Sequence, residues 1–483
     1  MRKAACQSQF LPEILLLAAV VLVRIAAEMT EFTLERQVLH SSCELEAPVI
    51  GCDSEAVTSS SANWVRWLLS LTNLSALAVL PIFAAASDSL KKSGGTRLPL
   101  LAVQSVAVGL LPMLYYLHHV GALPQWMQLL IPTSLALFGS ELNVIMPTLF
   151  AARADLFRDD ETGDTARGSA FLRVEIAMHV GGFVGASLAA WLLRVFPSDE
   201  QIALHMSFIV AALCGWSAGA VILMLRHLES AKRTASDVTP CARPPLVELA
   251  LGSYSGLFDA IRDGLKLSTE TQRGWVSLTV GSFAMVNGNE GMVHINTIIW
   301  ARIGFSGECS AVLYAISRIS GVGHVLLAMG LMRCVGRVEP VILVMACVAT
   351  VAPLAFAVGI MLSSRALVLV NATLFSAFGP VVILTRSLVV LYSPAERLGT
   401  ALCLLGMLDE LVTGLGNFTM STIFALTAGA PSVVAWLTTV GWLVIVELNR
   451  RLVAFGEGDV RPRSDDDAPS LLYKGTLLPV STY

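Results

Sequence analysis

The sequence predicts an all-helical membrane protein: twelve transmembrane helices arranged as two six-helix halves. Three observations carry this prediction. The 483-residue chain is 55% hydrophobic, only 14% charged and has a mean hydropathy of +0.70, where a soluble domain is nearer a quarter charged. Its apolar residues gather into twelve runs long enough to cross a bilayer as helices. Finally, Lys and Arg are distributed unequally between alternate connections.

The runs cover residues 12–34, 64–86, 98–119, 126–150, 169–193, 204–225, 275–300, 309–332, 340–362, 366–390, 400–426 and 432–449. The first begins after Arg2 and Lys3, like a signal peptide. It is interrupted by Arg24, Glu28 and Glu31 and lacks a small-residue cleavage site, so it reads as a retained span. The connection 35–63 is acidic and holds Cys43 and Cys52; Cys309 opens the eighth span on the same side. An oxidising exterior or lumen permits a disulfide among these three, and a free thiol is the alternative for any one pair. Asn73, Asn371 and Asn417 begin glycosylation sequons, but all three fall within spans and are discounted.

The connection 226–274 divides the chain. Residues 1–225 form the N-terminal half, 226–274 a cytosolic central loop, 275–450 the C-terminal half and 451–483 a cytosolic tail. With both termini in the cytosol, 23 of the 32 Lys and Arg residues fall inside and five outside; Arg24, Arg173, Arg318 and Arg386 lie within spans. Within the central loop, Leu246, Leu249, Leu257 and Ile261 approach helical spacing, which suits either a helix on the membrane surface or an ordinary polar connection.

The fifth span is the most informative. Read as a helix, 169–194 is about 39 Å long. It carries Glu175 and His179 on one face, followed by Gly181, Gly182 and Gly185. The Gly181-x-x-x-Gly185 step permits close helix approach. A charge at membrane depth costs several kcal/mol and usually faces a working cavity; the plainer alternative is a protonated Glu175, or one paired with Arg173. Other in-span charges are Glu141, Arg318, His324, Arg386, Asp409 and Glu410. In the seventh span, Asn287, Asn289, Glu290 and His294 crowd around Gly288 and Gly291, polar and flexible enough to line a cavity. The planar fork of arginine suits carboxylates, so Arg318 and Arg386 in a cavity point to an anionic substrate. Buried carboxylates there can exchange protons near neutral pH.

Other classes find little support. No basic tract suggests nucleic acid. No zinc spacing, G-x-S-x-G elbow or nucleotide-binding glycine loop suggests a metal, a cofactor or an enzyme.

Two six-span halves around a long central loop resemble the major facilitator superfamily. That superfamily's loop 2–3 signature is matched by Ala84, Asp88, Lys91, Lys92 and Arg97, with alanine where glycine is usual. More closely, the chain resembles the branch containing the proton-coupled folate transporter and thymic stromal cotransporter-like proteins. The shared features are Ser87-Asp88-Ser89 with Arg97-Leu-Pro-Leu-Leu, and Glu175 followed by the small-residue run 181–190 and Trp191-Leu-Leu-Arg194. Glu141 precedes Ala154-Asp155, Arg386 precedes Gly399, and Glu308 follows the seventh span, at family spacings. Paired external cysteines would correspond to Cys43 or Cys52 with Cys309.

The resemblance implies a transporter that moves a small-molecule organic anion, folate-like, haem-like or otherwise bulky, with protons across a lipid bilayer. Glu175, Glu141 and His179 would carry protons, and Arg386, Arg318, Asn289 and Glu290 would hold substrate. Asp88 and Arg97 would form a cytosolic gate. A transport-inactive scaffold or receptor on the same fold is the rival reading. In the tail, Asp467 with Leu471 and Leu472 fits an acidic dileucine address, so the expected residence is the plasma membrane or endosomal and lysosomal membranes.

Overall fold

A computed structural model describes residues 2–46, 55–92, 96–123, 127–140, 142–156, 164–196, 199–233, 270–289, 295–391, 398–427 and 430–457. Among them are fifteen α-helices and no strand: α1 (Arg2–Glu46), α2 (Glu55–Lys92), α3 (Leu98–His119), α4 (Met127–Ala136), α5 (Leu142–Leu156), α6 (Asp164–Val195), α7 (Glu200–Arg233), α8 (Glu270–Asn289), α9 (Asn296–Arg302), α10 (Gly307–Val335), α11 (Val338–Met361), α12 (Arg365–Phe375), α13 (Phe378–Leu391), α14 (Leu398–Leu426) and α15 (Ser432–Glu457).

Eight of the expected spans coincide with stretches long and apolar enough to cross a membrane. They expose leucine, valine and tryptophan side chains such as Leu213, Leu326, Val440 and Trp191 on their outer faces. Lipid rather than water is the solvent that suits such a surface. This is a multi-pass membrane protein.

Three expected spans are each described as two helices. The fourth is α4 and α5, each with an internal proline, Pro132 and Pro147; the turn between them ends at Gly139, whose φ of +77° favours glycine. The seventh is α8 and α9, and the tenth is α12 and α13, joined at Ser376 and Ala377. By contrast α10 is continuous and capped at both ends. Ser306 Oγ accepts from Cys309 N at 3.2 Å, and Gly336 closes the helix in the left-handed conformation at φ 68°.

The packing repeats with an offset of six spans. α3 packs on α7 as α11 packs on α15; α1 packs on α6 and α7 as α8 packs on α14 and α15. Two seams join the halves: α6 against α10, and α2 against α14. These are also equivalent under the same offset. The residue sequence shows no such repeat; it is visible only in the packing.

The core is layered. One apolar cluster, including Leu16, Leu149, Leu172, Met332, Leu388 and Leu402, lies toward the end where the chain begins. A second, including Phe32, Val65, Ala186, Phe356 and Phe424, lies toward the opposite end. Both draw residues from both halves. Below, these ends are the basic end, which bears most of the Lys and Arg, and the far end.

Candidate functional site

Helix spacing places the charges inward. On α1, Arg24 and Glu28 are four residues apart and share a face. On α14, Asp409, Thr413 and Asn417 form one stripe. These stripes, with α6, α10, α12 and α13, enclose a cavity of about 310 Å³. Its polar walls include Arg24, Glu31, Glu175, His179, Arg318, Arg386 and Asp409.

Every arginine in this cavity is matched to acid. Glu28, 3% exposed, is shared: one oxygen pairs with Arg24 and the other accepts from Arg318 Nε at 2.9 Å. Arg24 belongs to the same helix, while Arg318 comes from the other half. Arg386 pairs with Asp409, which also accepts from Thr413 Oγ1 at 3.3 Å. The Arg386 guanidinium lies 5.4 Å from the centre of the Phe283 ring. Such pairs are stable at depth only with good geometry and further hydrogen bonds, and Thr413 supplies one.

Glu175 sits where the halves touch. His179 Nε2 is 3.3 Å from Glu175 Oε1, outside hydrogen-bonding alignment, and Arg386 and Arg24 lie within electrostatic reach. A Cβ at Gly379 of α13 would fall 2.6 Å from the Glu175 carboxylate, so a side chain there would displace that carboxylate from its present position. The small residues of α6 act as their spacing suggests. Gly181 and Gly185 lie against the α1 backbone at Val21 and Ile25, and Gly182 receives the Arg318 side chain. Arg173, the alternative partner for Glu175, instead reaches Glu13 at 3.1 Å, as does Arg153 at 3.3 Å.

Toward the far end an aromatic group covers the cavity. Tyr314 OH donates to Glu35 Oε2 at 3.2 Å across the halves. The Tyr314 ring lies edge-on to Trp300 at 5.1 Å and to Phe32 at 5.9 Å. At the basic end Arg97 Nε donates to Ser87 Oγ at 2.7 Å and its Nη1 reaches Ala151 O at 3.5 Å, tying α2, α3 and α5 together.

Of the residues expected to act, Glu175, His179, Arg318 and Arg386 are brought together. Asn289 is not: Asn287 lines the cavity, while the Asn289 amide packs on Gly441 of α15. Two residues on a helix are about 200° apart, so both cannot face one cavity. The expectation that Cys309 joins a disulfide is also corrected. Cys43 is disulfide-bonded, but Cys309, in the exposed first turn of α10, is free. Glu141, Glu290, Cys52, Asp467, Leu471 and Leu472, and the side chain of Asp88, lie outside the described residues.

Sequence reasoning treated Arg24 and Glu28 only as interruptions of a signal-like run and gave Asp409 no role. The four-residue spacing of Arg24 and Glu28 is a signal that could have found that pair. The partnerships of Arg318 and Arg386 depend on distant helices and leave no local trace.

No known family's sequence pattern matches this chain, and no curated protein matches it. Among solved structures it is similar to the crystal structure of the human organic anion transporter MFSD10 (TETRAN), with a TM-score of 0.61 and 16% identity. The likeness covers 90% of this chain and 99% of that one. The chain has the major facilitator fold.

Proposed function

We propose that this protein is a secondary active transporter that moves an organic anion together with protons. One observation supports this above others: both cavity arginines from the C-terminal half are held by carboxylates. While Asp409 is ionised, it occupies the fork of Arg386. A substrate carboxylate takes that fork when Asp409 accepts a proton. Anion and proton then bind with positive coupling, and reciprocity requires each to raise the affinity for the other. The fold shared with an organic anion transporter agrees with an anionic substrate.

In this reading Asp409 holds the coupled proton while the anion is bound, and Glu175, at the contact of α6 with α13, and His179 carry that proton to and from it. Glu141 keeps the relay role suggested by its place in the fourth span. Arg386 holds the substrate, assisted by Arg318. The halves rock about the cavity, with Asp88 and Arg97 at the basic-end gate. The resemblance to the proton-coupled folate transporter branch supports the same direction of coupling.

The test is uptake of a panel of organic anions into proteoliposomes with an imposed pH gradient. Anion-driven proton entry supports symport; binding without flux favours a scaffold or receptor. Orientation can be read from native thiols. Cys309 and Cys334 are both free and exposed, and lie about 38 Å apart along α10. With the basic end cytosolic, an impermeant maleimide labels Cys309 in intact cells and Cys334 only after permeabilisation. In the same cells, replacing Leu471 and Leu472 by alanine should move a tagged protein toward the cell surface if the tail acts as an address.

A further inference from the structure

The far-end part of the cavity has neutral polar chemistry, including amide acceptors that an ionised carboxylate, which carries no donor, cannot satisfy. Asn296 on α9, Asn371 on α12 and Asn417 on α14 all line it, at 4%, 1% and 1% exposure. Their depths match. Asn296 lies six residues from the far end of its helix, Asn371 six and Asn417 nine. The amide oxygens of all three, together with Asn417 Nδ2, have no hydrogen-bond partner among the described residues. The Trp300 indole N–H, in the same wall, also lacks one.

Buried polar atoms are normally satisfied, and each one left unmade costs about 1–3 kcal/mol. Several in one wall, bringing both donors and acceptors, are expensive as packing and useful as a binding surface. They also explain the three sequons. Asn371 and Asn417, like Asn73 on α2, face the cavity rather than an aqueous surface where glycans could be attached.

We propose that these groups form a second subsite, which binds a neutral hydrogen-bonding end of the substrate. The substrate class is then an organic anion with a carboxylate at one end and an uncharged amide- or hydroxyl-bearing group at the other. Its length follows from α14. Asp409, beside the Arg386 fork, and Asn417 lie on one face eight residues apart, about 12 Å along the axis. A cavity of about 310 Å³ is at the low end for small-molecule sites, which favours a compact substrate over a bulky polyanion. This inference deepens the transporter reading and rests on it for the carboxylate end.

Three probes separate the two claims: 4-phenylbutanoate, 4-(4-carbamoylphenyl)butanoate and the neutral 4-propylbenzamide. Binding to the purified full-length protein in lipid nanodiscs is measured by calorimetry. The carbamoyl anion should bind at least tenfold more tightly than phenylbutanoate. That preference should fall to about onefold in Asn417→Leu and Asn371→Leu, with phenylbutanoate affinity unchanged. Removing unsatisfied amides should leave the melting temperature equal or higher, whereas a purely structural amide would lower it. Equal binding of the two anions, or a preference that survives both substitutions, overturns the subsite. If neither anion binds but 4-propylbenzamide does, with loss in Asn417→Leu, the subsite stands and the anion reading fails. If none of the three binds, both fail.

Discussion

The two seams between the halves occupy equivalent places in the fold and are built from different chemistry. At the α6–α10 seam, Gly182 makes room for the Arg318 side chain, Gly321 lies against the His179 ring, and Glu28 joins Arg318 across the halves. At the α2–α14 seam the contacts described are hydrogen bonds of neutral groups, apolar packing and one arginine on aromatic rings. In the orientation that satisfies both its ends, the Asn73 amide bridges Leu69 O and Gly414 N. Ser59 Oγ donates to Ala425 O at 3.2 Å, and Gly406 accepts Leu80. Among the described residues Arg66 is engaged by Thr422, at 3.1 Å, and by the rings of Trp67 and Phe418. In the proposed function, contacts at the first seam depend on who holds a proton and whether an anion is present. Contacts at the second depend on neither. One seam is therefore suited to sensing the load and the other to holding the halves together throughout.

The largest break in this comparison should come from Glu28→Gln. It leaves Arg24 and Arg318 without their shared carboxylate, and breaking a buried pair costs about 3–5 kcal/mol. Thermal melts in detergent should show a marked fall, and uptake should be lost; an unchanged melt would show that the pair is not buried in the working protein. Next is Gly182→Val, whose added atoms meet Arg318 Cδ at 2.9 Å or less. Overpacking of this kind costs about 1–3 kcal/mol, and transport should stop even where folding survives. Gly414→Ala, at the other seam, places a Cβ 3.3 Å from Asn73 Cβ, a tight contact relieved by a shift of a few tenths of an ångström, and should retain most activity. Equal effects at the two glycines would erase the distinction.

Smaller effects sharpen it. Glu175→Gln should flatten the dependence of net uptake on pH while leaving anion binding or exchange, since the amide keeps the shape and cannot carry the proton. Arg386→Lys should raise the anion concentration needed for half-maximal uptake by about tenfold, because a point charge does not replace a planar fork; an equal shift for a neutral analogue would make the residue structural. The smallest expected effect is that of Arg66→Gln. Losing its aromatic contacts should cost about 0.5–1 kcal/mol and slow turnover without altering the pH profile.

Much of the architecture was legible before the fold was known. Apolar runs, glycine spacing and the Lys and Arg bias are properties of single segments, so the helices, the close approach at Gly181 and Gly185, and the inward face of Glu175 could be read directly. What could not be read was partnership. Asp409 and Arg386 are 23 residues apart and Glu28 and Arg318 are 290 apart; their pairing follows from which helices pack. The choice of Asn287 over Asn289 turned on about 200° of helix rotation, which a segment crowded with polar residues does not define. The sequons misled in a useful way: their burial was expected, while their common orientation into the cavity was not.

The sharing of Glu28 gives the molecule an uneven ledger when its halves part. Moving the C-terminal half away takes Arg318 from the carboxylate but leaves Arg24 beside it on α1. The acid keeps a companion, and the departing guanidinium loses one. In a low-dielectric interior a bare cation is the less tolerable of the two results. An anion travelling with Arg318 removes that penalty. In the proposed transport cycle, an arrangement that looks like simple electrostatic glue thus makes an empty journey harder than a loaded one.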